Sequence, residues 1–324
     1  MILAGDVGGT KTLLGLFEPA DRRPASLETR AYVTTDFTSF TSILDAFARD
    51  TGRPLRFDAI AIGVAGPVAD NRGALTNIAW DISAEEITAR LGTPHVQLLN
   101  DLEAMANGVD VLTPDEVVVL QEGVHRTDGN AAVIAAGTGL GQAYLHRVGG
   151  RLVPVASEGG HADFAARTDR EIELVRMLRE RYGRAEVEQV LSGPGLLNLH
   201  RLTHRGGECE MLAGVDERDA PPRISQAGLT GRCQGCSEAL RMFVSAYGAE
   251  AGNMALRGLT TAGLYVGGGI AAKILPAIRS GAFMEAFLAK PPMHELLAKM
   301  PVRLILNAEA GLLGAAVHAQ EMTR

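Results

Sequence analysis

Ile2-Leu3-Ala4-Gly5-Asp6-Val7-Gly8-Gly9-Thr10-Lys11-Thr12-Leu13-Leu14-Gly15-Leu16 is the stretch on which the reading of this chain turns. An apolar run reaches Asp6, a glycine pair follows, and Thr10 and Thr12 open a second apolar run. Two strand-like segments flanking glycines that can take positive φ predict a β-hairpin. Glycine lacks Cβ, so backbone N–H groups at Gly8 and Gly9 can approach a phosphate, and the threonine hydroxyls add donors. A carboxylate at the end of the first strand suits Mg2+, a hard ion usually held through water. A plain hairpin with a solvent-facing Asp6 would give the same local pattern. A P-loop does not fit, because Gly9-Thr10-Lys11-Thr12 leads into the strand-like Leu13 to Phe17 and not into a helix.

The chain has 324 residues, enough for a sizeable core and two domains or lobes. A hydrophobic content of 46% with 21% charged residues is that of an ordinary globular protein. The formal net charge of −7 argues against a nucleic-acid partner and gives no reason to expect a membrane surface. No apolar run approaches the roughly 20 residues of a spanning helix. The hairpin begins almost at Met1, so no signal peptide is expected and the expected location is the cytoplasm. Three cysteines, Cys209, Cys233 and Cys236, cannot make a disulfide framework in a chain this long. Cys233-Gln-Gly-Cys236 has the spacing of half a zinc site or of a redox pair; a zinc site would have only Cys209, His200 and His204 nearby to complete it. The favoured reading is plain thiols at the start of a helix.

Outward from the hairpin, Ala31 to Thr34 predicts a third strand and Phe40 to Arg49 an amphipathic helix. Phe57 to Val64 reads as a buried strand, Ser83 with Glu86 as a capping box, and His95 to Leu99 as a strand running into Asn100-Asp101. Ala131 to Ala135, a Gly137-Thr138-Gly139 turn and Gly141 to Arg147 echo the opening hairpin, as a duplicated lobe would. A helix over 168–182 opens on Thr168 with Glu171, and 203–223 reads as a loop. A long helix follows over 238–259, then a strand at 264–266 ending in Gly267-Gly268-Gly269. A last strand, 302–306, and a helix, 310–319, close the chain. Meander plus alternation predicts α/β lobes with mixed sheets.

Candidate chemistry sits at the ends of these elements. Asn100-Asp101 follows a strand and precedes a helix, so one residue can cap while the other accepts a substrate proton. Glu158-Gly159-Gly160-His161 sets an acid and an imidazole across two glycines, a tight loop where polyol hydroxyls can be hydrogen-bonded. Glu188 precedes Ser192-Gly193-Pro194-Gly195 and, taken alone, reads as a solvated residue near a helix end. Thr76-Asn77-Ile78-Ala79-Trp80 holds the single tryptophan.

Asp-x-Gly-Gly-Thr-x-Thr on a hairpin resembles the first phosphate motif of the actin-like sugar kinase and ATPase superfamily. Gly5 to Thr10, Thr76-Asn77 with Trp80, Asn100-Asp101, Gly137 to Gly141, Glu158 to His161, Leu191 to Gly195 and Gly267 to Ile270 run in one order. In that order they resemble the bacterial glucokinase family. The repressor-related sugar kinases share the hairpin but carry a Cys-rich zinc motif after Glu-x-x-His, and here no cysteine lies between Glu158 and Leu191. The resemblance implies a two-lobed actin-like (ribonuclease H-like) fold with the site in the interlobe cleft. It implies a small lobe over 1–107 and 304–324 and a large one over 108–303. It implies phosphorylation of glucose at the 6-hydroxyl, with ATP and Mg2+, in a homodimer feeding glycolysis. Asp101 takes the general-base position, and Asn77, Asn100, Glu158, His161 and Glu188 with Asp101 the sugar positions. Gly5, Asp6, Val7, Gly8, Gly9, Thr10, Thr12, Gly137, Thr138, Gly267 and Gly268 take the nucleotide positions, with Asp6 toward Mg2+. Other readings on the same fold are a kinase of another hexose and a sugar sensor that does not turn over.

Overall fold

The computed structural model describes residues 1–52, 56–75, 78–205 and 207–324. The chain divides into two compact units, one of residues 1–113, 152–156 and 307–324, the other of 114–151 and 157–306. Among the described residues no helix is long and apolar enough to cross a membrane.

The first unit is a mixed sheet covered on both faces. Its strands are β1 (Ile2–Val7), β2 (Lys11–Glu18), β3 (Ala25–Val33), β4 (Ala59–Val64) and, after a small sheet of β5 (Val68–Ala69), β6 (Arg72–Ala74) and β7 (Asp81–Ser83), β8 (Val96–Asn100). The order is β3-β2-β1-β4-β8. β1 runs antiparallel to β2 and parallel to β4, and β4 runs parallel to β8. The two-residue side-chain period divides β1 between two cores. Leu3 and Val7 join Phe40, Ile43 and Phe47 of α1 (Phe40–Thr51) and Ile87 of α2 (Ala84–Leu91). Ile2 and Ala4 face the other way, onto Ala104 of α3 (Asp101–Gly108). Asp6 is next in that second register, so its carboxylate points to the α3 side.

The second unit repeats the plan. After β9 (Val117–Gln121) come β10 (Ala131–Ala136) and β11 (Leu140–Val148), then β12 (Arg151–Ser157), whose residues 152–156 count with the first unit, and later β13 (Gly263–Gly267) and β14 (Val302–Ile305). The order is β12-β11-β10-β13-β14-β9. As with β1, β10 pairs antiparallel with the strand after it and parallel with a crossover strand, β13. The echo in the sequence is therefore an echo in topology. Its helices are α4 (Asp169–Tyr182), α5 (Gly193–His204), α6 (Ala220–Leu229), the long α7 (Gln234–Gly258), and the short α8 (Gly268–Lys273), α9 (Leu275–Ile278), α10 (Ala282–Leu288) and α11 (His294–Leu297). The middle of α7 is buried on every side, and Phe243, Tyr247 and Phe283 stack edge to face there. The last helix, α12 (Ala310–Glu321), belongs to the first unit and lies on Ile2, Ala4 and Ala61.

Several elements depart from the sequence reading. The third strand begins at Ala25, because its outer residues alternate too weakly to read as a half-buried strand. Ser83 precedes α2 without a side-chain capping bond, whereas the Thr168 hydroxyl does accept from Glu171 N, and Glu171 turns its carboxylate back to Arg167 N. The 203–223 stretch is not all loop: a 3-10 turn occupies Glu210–Leu212 and α6 starts at Ala220. Ser192-Gly193-Pro194-Gly195 opens a helix and does not follow one, with Ser192 accepting from Gly195 N and Pro194 in the first turn. Neither Gly8 nor Gly9 takes a positive φ.

The α3–α12 crossing depends on two glycines, Gly108 and Gly314. A Cβ on Gly314 would overlap the Ala104 carbonyl oxygen, and one on Gly108 would sit 3.2 Å from the Gly314 backbone. Gly314→Ala must therefore push α12 away from α3, and overpacking of this kind costs about 1–3 kcal/mol. Thermal denaturation should show a Tm several degrees lower; an unchanged Tm would mean that the helices slide apart at no cost.

Candidate active site

In the first unit the chemistry gathers where β1 and β8 end. Gly8 N donates to Lys11 O at 3.0 Å, which closes the hairpin turn. Thr34, just beyond β3, clamps it: its amide donates to Thr10 O at 3.0 Å and its hydroxyl to Gly8 O at 2.8 Å. Thr12 is fully buried and its hydroxyl pairs with that of Thr34 at 2.9 Å. A Cβ on Gly5 would meet Ile62, and Val7 lies in the core. Gly5, Val7 and Thr12 thus shape the turn from within, while Gly9 and Thr10 lie at its surface.

Asn100 is the N-cap of α3. Its Oδ1 accepts from Leu102 N at 2.9 Å and its amide donates to Gly66 O at 3.2 Å. Asp101 Oδ1 also accepts from Leu102 N, at 2.9 Å, so its carboxylate lies at the positive end of the helix. Asp6 stands close enough to feel it. Burial, then the Asp101 charge, push the Asp6 carboxyl up to about 6 against a partial pull from Lys11. Gly311, at the start of α12, leaves room for Asp6: a Cβ there would sit 2.8 Å from Asp6 Oδ2. A buried carboxyl with a second carboxylate beside it forms an oxygen donor set suited to a hard divalent cation. Mg2+ fits this chemistry.

In the second unit, three segments that are distant in sequence meet. Glu158 precedes a 3-10 turn over Gly159–His161, and Glu188 N donates to Gly160 O at 2.8 Å. Glu188 Oε2 accepts from Leu140 N at 2.8 Å, and a Cβ on Gly139 would sit 2.6 Å from that oxygen. The Gly137-Thr138-Gly139 turn is therefore packed on Glu188, and Gly193 N donates to Gly137 O at 2.8 Å. Glu188 lies in the turns between α4 and α5 and is no helix residue. His161 Nδ1 donates to Glu186 Oε2 at 2.9 Å. That bond raises the His161 pKa above the ordinary imidazole value despite some desolvation, helped by the charges of Glu188, Glu186 and Glu158. Glu186 is absent from the sequence-based site. Its only sequence signal is the pattern Glu186-Val187-Glu188, two acids flanking a valine that is buried.

The glycines at the end of β13 are held from beneath. Tyr247 of α7 is fully buried; its hydroxyl accepts from Ala136 N at 3.1 Å and lies 3.3 and 3.2 Å from the Ile134 and Gly267 carbonyls. Gly268 has φ +84°, and a Cβ there would overlap the Ala136 carbonyl oxygen. Only glycine turns the chain into α8 at that approach. Gly137 and Gly269 have open space where a side chain would stand. Trp80 is half-buried against the first unit's core, and Thr76 and Asn77, the latter a sugar candidate, lie outside the described residues.

The glucokinase family profile spans residues 3–322. A glucokinase from Nostoc sp. is 36% identical, with 99% of each chain covered. The crystal structure of a glucokinase from an Antarctic psychrotroph is 27% identical, with a TM-score of 0.87 over 99% of this chain and 98% of that one. A repressor-type (ROK) glucokinase from Streptomyces griseus, solved with glucose and AMPPNP, shares the fold at a TM-score of 0.65 and 22% identity, covering 99% of each chain. The chain belongs to the glucokinase family and is a sugar kinase, an ATP:hexose phosphotransferase.

Proposed function

We propose that this protein phosphorylates D-glucose at the 6-hydroxyl with ATP, using Asp101 as general base on a two-lobed actin-like fold whose substrates enter between the lobes. The observation that carries the reading is the placement of Asp101. It stands at the carboxyl end of a parallel strand and the first turn of a helix, beside Asp6 and the glycine hairpin. Asp101 accepts the hydroxyl proton as the sugar oxygen bonds to the γ-phosphorus, and the bond from that phosphorus to the β–γ bridging oxygen breaks. Asp6 would hold Mg2+, which would supply charge neutralisation to the phosphates when bound. Asn77, Asn100, Glu158, His161 and Glu188 pair the sugar hydroxyls. An epimer with one misplaced hydroxyl leaves such groups unsatisfied, which is the basis of selectivity. Asp6, Gly8, Gly9, Thr10, Gly137, Thr138, Gly267 and Gly268 receive the nucleotide, with Gly5, Val7 and Thr12 supporting. The lobes correspond to 1–107 with 304–324 and to 108–303, the assembly is a homodimer, and the cytoplasmic enzyme feeds glycolysis.

The direct test is ADP formation from Mg-ATP with glucose, mannose, galactose, fructose and N-acetylglucosamine in turn. Glucose-dependent turnover supports the reading; sugar binding without turnover on any hexose would make the protein a sensor. Asp101→Asn should lower kcat by about 10²–10⁴-fold, the range for loss of a general base, with glucose affinity nearly unchanged by calorimetry. A kcat within a few-fold of wild type would remove Asp101 from the chemistry.

Asp6 makes a second expectation, about pH. Its carboxyl holds a proton more tightly in the folded chain, about 6 against 3.8, so the folded state gains from protonation at low pH. That gain is lost as pH rises from about 4 through about 6. Asp6→Asn has no charge to bury, so without Mg2+ its Tm should exceed that of wild type at pH 7.5 and lack this acid-range slope. A wild-type slope that persisted in Asp6→Asn would place the titrating group elsewhere.

A further inference from the structure

Far along the second unit from the residues above, α5 ends, a loop passes, and α7 begins; the three cysteines meet there with two histidines. Cys209 Sγ lies 3.9 Å from both Cys233 Sγ and Cys236 Sγ, and all three are free thiols. A disulfide needs about 2.05 Å between sulfurs. A tetrahedral zinc with Zn–S bonds near 2.3 Å needs sulfurs about 3.8 Å apart along each edge. The observed spacing is that of the metal.

The histidines add the missing corner. His204 Nδ1 lies 3.0 Å from the His200 carbonyl oxygen. A carbonyl only accepts, so Nδ1 carries the proton and Nε2 of the neutral ring carries the lone pair. That Nε2 points at Cys233 Sγ, 3.2 Å away. A backbone carbonyl fixing the tautomer behind a ligating nitrogen is how metal-bound histidines are held. His200 stacks on His204 with ring centroids 3.8 Å apart. It is only 7% exposed, and among the described residues its Nε2 has no hydrogen-bond partner. The ligand atoms of His200, His204, Cys209 and Cys236 all lie within 4.8 Å of one another. Gly235 completes the nest: a Cβ there would stand 2.8 Å from both ring nitrogens of His204, so only glycine lets the imidazole lie over the Cys-x-x-Cys turn.

We propose that Cys209, Cys233, Cys236 and His204 form a structural zinc site, with the unpartnered His200 nitrogen alongside as a spare donor. Thiolate and imidazole donors with no carboxylate select zinc over magnesium or calcium. All four corners come from protein, so the site is closed and not hydrolytic. Its mechanical effect follows from what it ties. It pins the end of α5, whose first residue bonds the Gly137 turn, to the start of α7, whose Tyr247 bonds the ends of β10 and β13. Loss of the metal should loosen that framework.

The test is metal content by mass spectrometry after zinc loading and exhaustive dialysis against a weak chelator. About one zinc per chain is expected in the wild type, and less than about a tenth of that in Cys209→Ser/Cys236→Ser. Cobalt loading should give intense tetrahedral d–d bands with thiolate charge transfer, and both should weaken in Gly235→Ala, whose folding circular dichroism checks. The full-length protein should also lose several degrees of Tm in strong chelator and regain them on adding zinc. Either of two results overturns the proposal: wild type that retains no zinc while all three thiols react with a disulfide reagent under native conditions, or the serine double variant retaining its full equivalent.

Discussion

The unusual charge at the end of β1 is the constraint on which the first unit depends. Asp6 is carried into the interior by the alternation that buries Ile2 and Ala4, and it meets Asp101 there. A lone carboxylate in such a place would stay protonated at a considerable cost in stability. The unit manages it by geometry. Gly311 removes the side chain that would press on Asp6, and Gly108 and Gly314 let α12 lie close enough to α3 to cover that face. Asp101 itself is anchored by the first turn of α3, where helix polarity favours an anion. The fold thus keeps two carboxylates close together at the ends of β1 and β8, with burial and the Asp101 charge both opposing ionisation of Asp6.

The second unit uses the same strand plan without a carboxylate in the matching position. Ala135 and Ala136 stand at the end of β10, and α7 supplies the polar contact instead, through the Tyr247 hydroxyl. That single oxygen ties β10 to β13 at the point where both chains turn into glycine-rich loops. A phenol buried this fully must be hydrogen-bonded, so the three backbone partners and the ring stack with Phe243 and Phe283 enforce one another. Two copies of one topology thus differ in what sits at their strand ends, acid in one and neutral backbone in the other.

Much of this is legible in the sequence because it is local. The opening hairpin, the buried strand before Gly66-Pro67, the cap at Asn100 and the long helix rich in Ala and Met all follow from periodicity and turn chemistry within a dozen or so residues. The strand β3 is only half visible there, since most of its residues are exposed and mixed in character. Gly8-Gly9 suggests positive φ, which neither takes; a Cβ on Gly8 would instead sit 3.1 Å from Lys11 O. Glu188 reads as solvated because nothing near it in sequence announces Leu140 N, which lies 48 residues away. Thr34, Tyr247 and Gly311 carry no local mark at all; their roles exist only once strands and helices are stacked.

The cysteines show the same limit from the other side. Spacing alone supplies half a site in Cys233-Gln-Gly-Cys236 and has no means of deciding whether Cys209, His200 and His204 converge on it. Helix α5 decides it. Its N-terminus is fixed by Ser192 and Pro194, so its length alone sets where His200 and His204 emerge, one turn apart on the same face. That face is turned to the start of α7, where Gly235 leaves a gap the width of an imidazole ring. A cap at one end of a helix therefore places donors at the other end. The residue after that cap, Gly193, holds the Gly137 turn through its amide, so the order of the glycine loop and the convergence of the thiols are two consequences of how α5 is seated.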